Sequence, residues 1–240
     1  MAGRPPLVIA VAQPLCVAYD VEANALAHAA TIRTADARVV VFPELSLTGY
    51  EFDAPAIHPN DPRLAPIVEA CDGCGSVALV GAPIRNDPFG GKPTEHIATL
   101  AVTRGGVSVA YRKMWLGDAE AHRFDAGPQP AVLDVDGWRL GLAICKDTGI
   151  ALHAADTAML GIDVYVAGTV KHADEAALQH DRARRIAAEH DVWVAVSSFA
   201  GPTGGGYADT AAHSAIWAPG GAVIADAGPD IGAVARATLG

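Results

Sequence analysis

Residues 37–44, ARVVVFPE, form a nearly unbroken apolar run that stops at a proline and then a carboxylate, Glu44. β-Branched residues in series favour extended backbone. The lack of polar alternation means that both faces of such a strand are covered. Residues 163–167, DVYVA, read the same way. Strands buried on both sides require helices or another sheet laid over them, so the chain is expected to be a layered α/β protein.

Working outward, Val- and Ile-rich runs bounded by Gly, Pro, Asn or Asp predict strands over 7–13, 38–43, 77–83, 97–103, 107–112, 131–135, 138–145, 163–167, 192–199, 214–218 and 222–225. Helical spacing of apolar residues predicts helices over 20–34, 62–71, 150–160 and 174–190, the first capped by Asp20. Two strand pairs lack an intervening helix. Residues 97–103 run through Gly105-Gly106 into 107–112, and 131–135 run through Asp136-Gly137 into 138–145. Such connections read as hairpins, so the sheets are expected to be mixed. The GPTGGG stretch, 201–206, is expected to be a mobile loop, and the tail after Asp230 either an edge strand or a segment reaching a partner.

The chain has 240 residues, about half of them hydrophobic (51%), which suits one domain spanning 1–240 with a large core. A formal charge of −10 argues against nucleic acid or an anionic membrane as partner, since both attract a basic face. The opening apolar run ends at Gln13-Pro14, too short for a signal peptide or a membrane span. Four cysteines do not make a disulfide framework, and a reducing cytoplasm is the expected location. Cys71 and Cys74 form a C-x-x-C without a second pair at zinc-finger spacing, so no metal is expected. There is no P-loop, no G-x-G-x-x-G, no G-x-S-x-G elbow and no paired-His metalloprotease pattern, and no cofactor is called for.

Three segments each deliver one reactive group at the end of an apolar run: Glu44 in VVVFPELSLTGY, Lys113 in VSVAYRKMWL and Cys145 in LGLAICKD. A thiol to attack carbon, a base to take its proton and a cation to hold a developing oxyanion make up a hydrolytic site for a C–N bond.

With FPELSLTGY, YRKMWL, the E-x-x-x-F-x-x-G stretch from Glu120 to Gly127, GLAICKD and HSAIWAPGGAVIADAG in this order, the chain resembles the nitrilase superfamily of carbon-nitrogen hydrolases over nearly its whole length. The resemblance implies an α-β-β-α sandwich whose subunits form a homodimer or higher homo-oligomer. It implies Cys145 as nucleophile, Glu44 as general base, Lys113 and the Lys146 backbone N–H as oxyanion donors, and Glu120 as the group that orients Lys113 or the leaving nitrogen. The segment lining the substrate pocket falls at Thr169, Val170, Lys171 and His172. Lys171, His172 or Lys146 is expected to meet a carboxylate or other polar end of a small-molecule amide.

The chain also departs from the family. The aromatic-Asp-x-Arg-aromatic-Pro run after the nucleophile is replaced by Lys146-Asp147-Thr148-Gly149-Ile150-Ala151, without that Arg. The Trp-Glu pair of true nitrilases is absent too, so an amide rather than a nitrile is the expected substrate, with an N-carbamoyl compound as the alternative. A further alternative is a catalytically silent member that binds a metabolite or a protein. Cys145 is expected to be alkylated faster than the other three cysteines.

Overall fold

A computed structural model describes residues 4–87 and 91–240. In chain order the elements are β1 (Leu7–Ala12), α1 (Val21–Ala35), β2 (Val39–Val41), α2 (Ala65–Cys74), β3 (Val77–Asn86), β4 (Thr94–Thr103), β5 (Gly106–Arg112), β6 (Ala131–Val135), β7 (Trp138–Ile144), α3 (Ala151–Met159), β8 (Val164–Gly168), α4 (Ala176–His190), β9 (Trp193–Ser197), β10 (Ala215–Trp217), β11 (Val223–Asp226) and β12 (Val234–Leu239). They build two six-stranded sheets, ordered β12-β1-β2-β3-β4-β5 and β11-β10-β9-β8-β7-β6. In each sheet three central strands are parallel and the outer ones antiparallel. Mixed sheets were expected from the helix-free connections, and both hairpins form. In the second, Asp136 and Gly137 both take positive φ, as a two-residue turn that follows strand twist requires.

Side-chain alternation sorts the core into layers. Along β2, Val39 and Val41 face the opposing sheet, where Leu140, Leu142, Val164 and Val166 meet them. Val40 and the following Phe42 face outward onto Ala25, Ala29 and Ile32 of α1 and Ile67 of α2. On the other sheet, Tyr165 and Ala167 face Ala183, Ile186 and Ala187 of α4. The layers are therefore α-β-β-α. Every strand of this central kind is covered twice, and each fully buried Val or Ile contributes roughly 1.5–3 kcal/mol.

Local chemistry sets the ends. Asp20 caps α1 through the Ala23 N–H, and Asp36 closes it in the left-handed region. The predicted second helix splits into a 3-10 turn, Pro62–Leu64, and α2, which runs on to Cys74 and stops at Gly75. The tail is an edge strand: β12 pairs antiparallel with β1. The GPTGGG loop is pinned rather than free. Tyr50 N donates to Thr203 O at 2.8 Å, and a Cβ on Gly205 would collide with the Tyr50 carbonyl.

Gln13 stitches the two sheets together. Its side chain donates to Gly228 O and Asp230 O and accepts from Ser214 N. Ser197 Oγ of β9 donates to Ala12 O of β1 at 2.6 Å. These bonds fix one sheet over the other at the end of the sandwich where β2 and β7 finish, and so set the alignment of any groups placed there.

Candidate active site

Glu44 follows β2, Lys113 follows β5 and Cys145 follows β7. Open α/β sheets collect ligands at the carboxyl ends of their parallel strands. The Glu44 turn is held very close to its neighbours. A Cβ on Gly168, at the end of β8, would lie 2.6 Å from Phe42 O, and one on Gly81 of β3 would collide with Leu45 N and Pro43 O. Only glycine at both positions lets the turn settle between strands of the two sheets.

Lys113 Nζ donates to Glu44 Oε1 at 2.6 Å and to Glu120 Oε1 at 2.7 Å, with all three side chains at most 2% exposed. Two carboxylates thus share one ammonium, and their surroundings drive them apart. Glu120 accepts three donors: Lys113 Nζ, Tyr50 Oη at 2.6 Å and Gly117 N at 2.6 Å. Burial would raise its pKa, but Lys113, Tyr50 and Gly117 together bring it below the ordinary carboxylate value. Glu44 has Lys113 on one oxygen, while its Oε2 is buried with no hydrogen-bond partner among the described residues. Burial dominates there and pushes its pKa up to about 7, against the pull of Lys113. Lys113 itself stays cationic: burial disfavours the charge, but Glu44, Cys145 and Glu120 outweigh it. A pair of carboxylates split in this way gives one fixed anion and one group poised to exchange protons near neutrality.

Cys145 is 6% exposed and its Sγ donates to Val170 O at 3.3 Å. The thiol is near enough to Glu44 that each shifts the other's pKa. Burial, then the Glu44 charge, raises the thiol to about 12, with Lys113 and Lys171 opposing. The resting group is therefore a thiol, and attack on carbon needs a base to remove its proton. For alkylation the four cysteines differ in access: Cys74 is exposed, whereas Cys16 and Cys71 are buried like Cys145, with thiols raised to about 11. The informative comparison is with those two.

Cys145 has φ +43°, in the left-handed region. Such backbone in a non-glycine residue costs about 1–3 kcal/mol and persists where its surroundings hold it. Thr148 Oγ1 donates to Cys145 O at 2.7 Å, and Asp147 accepts from Ile144 N. Cys145 begins a 3-10 turn, Cys145–Gly149, so the Lys146 N–H belongs to the first turn, which has no partner within the helix. That N–H and Lys113 Nζ are donors suited to an oxyanion on a carbon bonded to Sγ.

The remaining expected residues divide. Val170 lies against Cys145 through its carbonyl. Lys171 is near enough to stabilise the thiolate electrostatically, and its Nζ also meets Glu175 at 3.3 Å. The Lys146 ammonium donates to Leu116 O at 2.6 Å, and the Thr169 hydroxyl meets Gln179 Oε1 and Ser197 O. His172 is stacked on Tyr207 at 4.0 Å and 12°. Tyr207, from the glycine loop, was not singled out in the sequence. Burial, followed by the charges of Cys145, Glu175, Glu44 and Glu120, raises its hydroxyl to about 12, placing it beside the cluster. Tyr50 was also missed. Nothing local in the sequence marks either tyrosine, because both act through contacts distant along the chain. Among the described residues, no group of three or more His, Cys, Asp or Glu is arranged to hold a metal ion.

Two mixed sheets thus lie between helix layers, with these groups at their shared end. The chain belongs to the carbon-nitrogen hydrolase family, whose model matches residues 8–239. It is 28% identical over 227 residues to a Pseudomonas protegens protein described as a hydrolase in the pqqF 5′ region, covering 89% of this chain and 77% of that one. It is 29% identical over 170 residues to a glutamine-dependent NAD(+) synthetase of Xanthomonas campestris pv. campestris, covering 64% of this chain and 30% of the synthetase. In fold it is similar to the amidase from Nesterenkonia sp. AN1, solved as a double mutant in complex with acrylamide, with a TM-score of 0.86 at 20% identity over 100% of this chain and 93% of the other. It is similar also to Saccharomyces cerevisiae Nit3, a member of branch 10 of the nitrilase superfamily, with a TM-score of 0.82 at 22% identity over 98% and 90% of the two chains.

Proposed function

We propose that this chain is an amidase that hydrolyses a small linear amide through a thioester on Cys145. The observation that carries the reading is the split carboxylate pair: Glu120 held as an anion by three donors, Glu44 raised to about 7 beside a neutral thiol. In the first half-reaction Glu44 takes the thiol proton as Sγ bonds to the carbonyl carbon. Lys113 and the Lys146 N–H receive the oxyanion. Collapse breaks the C–N bond, and the proton on Glu44 leaves with ammonia or an amine. In the second, Glu44 takes a proton from water, whose oxygen attacks the thioester and releases the acid and the thiol. Glu120 keeps Lys113 charged and aimed. Removing one oxyanion donor of this kind typically costs ~10²–10³ in kcat.

Lys171 is proposed to meet a polar end of the substrate, because it is the pocket-segment cation whose charge reaches Cys145. Lys171→Ala should raise KM, and an unchanged KM would remove Lys171 from substrate binding. The same reading puts the protein in a reducing cytoplasm, where four free cysteines are at home, and makes it a homodimer or higher homo-oligomer. Exposed Leu152, Met159, Leu160 and Leu178 on and beside α3 and α4 are apolar surface for such pairing. No helix among the described residues is long and apolar enough to cross a membrane.

The test is ammonia release from aliphatic amides, ω-amides of dicarboxylic acids and N-carbamoyl amino acids, with Cys145→Ala as control. Release from simple amides or ω-amides by the wild type alone supports the amidase. Release from N-carbamoyl compounds alone transfers the same site to that chemistry. No release from any of them moves the reading to a silent binder.

A further inference from the structure

Asp147 follows Cys145 by two residues and is fully buried. Its Oδ2 accepts from Ile144 N at 2.9 Å and from Tyr111 Oη at 2.8 Å, and its Oδ1 accepts from Trp115 N at 2.9 Å. Ile144 precedes the nucleophile, while Tyr111 and Trp115 flank Lys113 on either side. One carboxylate therefore ties the nucleophile turn of one sheet to the lysine segment of the other.

Behind Asp147 lies His153 in the first turn of α3, 1% exposed, with Nε2 2.9 Å from Tyr111 Oη and Nδ1 2.9 Å from Tyr165 Oη. Burial raises the Asp147 carboxyl against the pull of its donors; with that carboxyl ionised and the His153 ring neutral, hydrogen counting gives one arrangement. An ionised carboxylate only accepts, so the single Tyr111 proton goes to Asp147. The Tyr111 oxygen must then accept from His153 Nε2–H. Burial keeps the ring neutral, lowering its pKa against the opposing charges of Asp147 and Asp156. Its Nδ1 lone pair is left to accept from the Tyr165 hydroxyl. Every proton in the chain Tyr165-His153-Tyr111-Asp147 is assigned, and the chain ends on the backbone N–H next to a cysteine in left-handed conformation.

We propose that Tyr111 and His153 are positioning residues: the buried chain from Tyr165 to Asp147 holds the Cys145 turn in its left-handed conformation and in register with Lys113. The proposal rests on Cys145 being the nucleophile. It predicts that changes a full layer away from the thiol alter its reactivity through hydrogen bonding rather than through bulk stability.

The experiment follows alkylation of Cys145 by iodoacetamide in the intact chain, peptide by peptide, with Cys16 and Cys71 as internal references, together with kcat and KM on whichever amide is turned over. Tyr111→Phe removes the donor to Asp147, and His153→Leu removes both ring nitrogens. Each should slow Cys145 alkylation and kcat by about 10-fold to 100-fold with KM little changed, the scale of a nucleophile displaced by about 1 Å. His153→Gln places a donor near the Nε2 position and should recover most of the loss. His153→Asn restores only the Nδ1-side acceptor and should not. Tyr165→Phe, which deletes one hydroxyl and no packing, should slow alkylation severalfold and serves if the leucine variant fails to fold. Unchanged alkylation in Tyr111→Phe and Tyr165→Phe overturns the proposal. Equal losses in His153→Gln and His153→Asn, tracking Tm, overturn it in favour of a purely structural role. If Cys145→Ala retains wild-type turnover, the nucleophile reading itself fails, and this proposal with it.

Discussion

The turns that carry Glu44 and Cys145 are built alike and braced differently. Each leaves a parallel strand, β2 or β7, and each contains a non-glycine residue in the left-handed region, Leu45 at φ +52° and Cys145 at φ +43°. Each is backed by a buried neutral histidine. Behind Glu44, His28 Nδ1 donates to Asn24 O at 2.6 Å and Nε2 accepts from Ser46 Oγ at 2.9 Å, burial lowering its pKa to about 4. Behind Cys145, His153 acts through Tyr111 and Asp147. The first brace runs between a turn and the helix on its own sheet. The second crosses from one sheet to the other. Losing the first loosens a layer, whereas losing the second lets the thiol and the lysine slip relative to one another.

The largest effect should come from the proton-exchanging end of this comparison. Glu44→Gln keeps the shape and removes the proposed base, and kcat/KM should fall by about 10²–10⁴, while Cys145→Ala should abolish turnover in a folded protein. If Glu44→Gln retained more than a tenth of wild-type activity, Glu44 would not be the base.

The pH dependence of the same residue follows from its raised pKa. The base must be ionised, so kcat/KM should drop on the acid side of about 7, roughly tenfold per pH unit. Stability has the opposite sign. A carboxyl raised from 4.5 to about 7 on folding contributes stability that is complete below 4.5 and lost as pH rises through about 7. Activity and the Glu44 part of Tm should therefore cross, and Glu44→Gln should remove that part of the Tm slope. Parallel rises of activity and of this Tm component between pH 5 and 8 would contradict the assignment.

A third contrast uses glycine. Gly81→Ala drives a methyl into backbone at Pro43 and Leu45, and overpacking of this kind costs about 1–3 kcal/mol and displaces Glu44. Gly149→Ala, in the Cys145 turn, meets only the Arg182 guanidinium at 2.7 Å, the end of a flexible side chain. Chemical denaturation should find Gly81→Ala clearly less stable than Gly149→Ala. Equal losses would mean that the two turns are not packed as differently as their neighbours suggest.

Much of this was legible in sequence because each reactive residue ends an apolar run. ARVVVF and DVYVA announced doubly covered strands, and the helix-free connections announced mixed sheets. What stayed hidden is long-range. Tyr50, Tyr207, His28 and His153 reach the site through contacts between residues distant along the chain, which no local period encodes. The Lys146 charge was visible, but its capture by Leu116 O was not. The tail read as two alternatives because VARATL alternates too weakly to choose between an edge and a partner; pairing with β1 decided it. The glycine run read as mobile because glycine is permissive, yet the same missing Cβ lets it pack against Tyr50.

The smallest expected change in activity is also the one that sharpens the comparison most. Ser46 Oγ donates to His28 Nε2 and accepts from Gly81 N at 3.2 Å, all within the buried interior. Ser46→Ala leaves an imidazole lone pair and a backbone N–H without partners, at a cost of about 1–3 kcal/mol. Because Glu44 is still clamped by Gly81, Gly168 and Lys113, kcat/KM should stay within a fewfold of wild type while Tm falls. Tyr111→Phe should show the converse: a modest fall in Tm and a large fall in Cys145 reactivity. If Ser46→Ala lost as much activity as Tyr111→Phe at matched stability, both histidine braces would be doing the same job, and the cross-sheet contact would hold no special place in aligning the thiol.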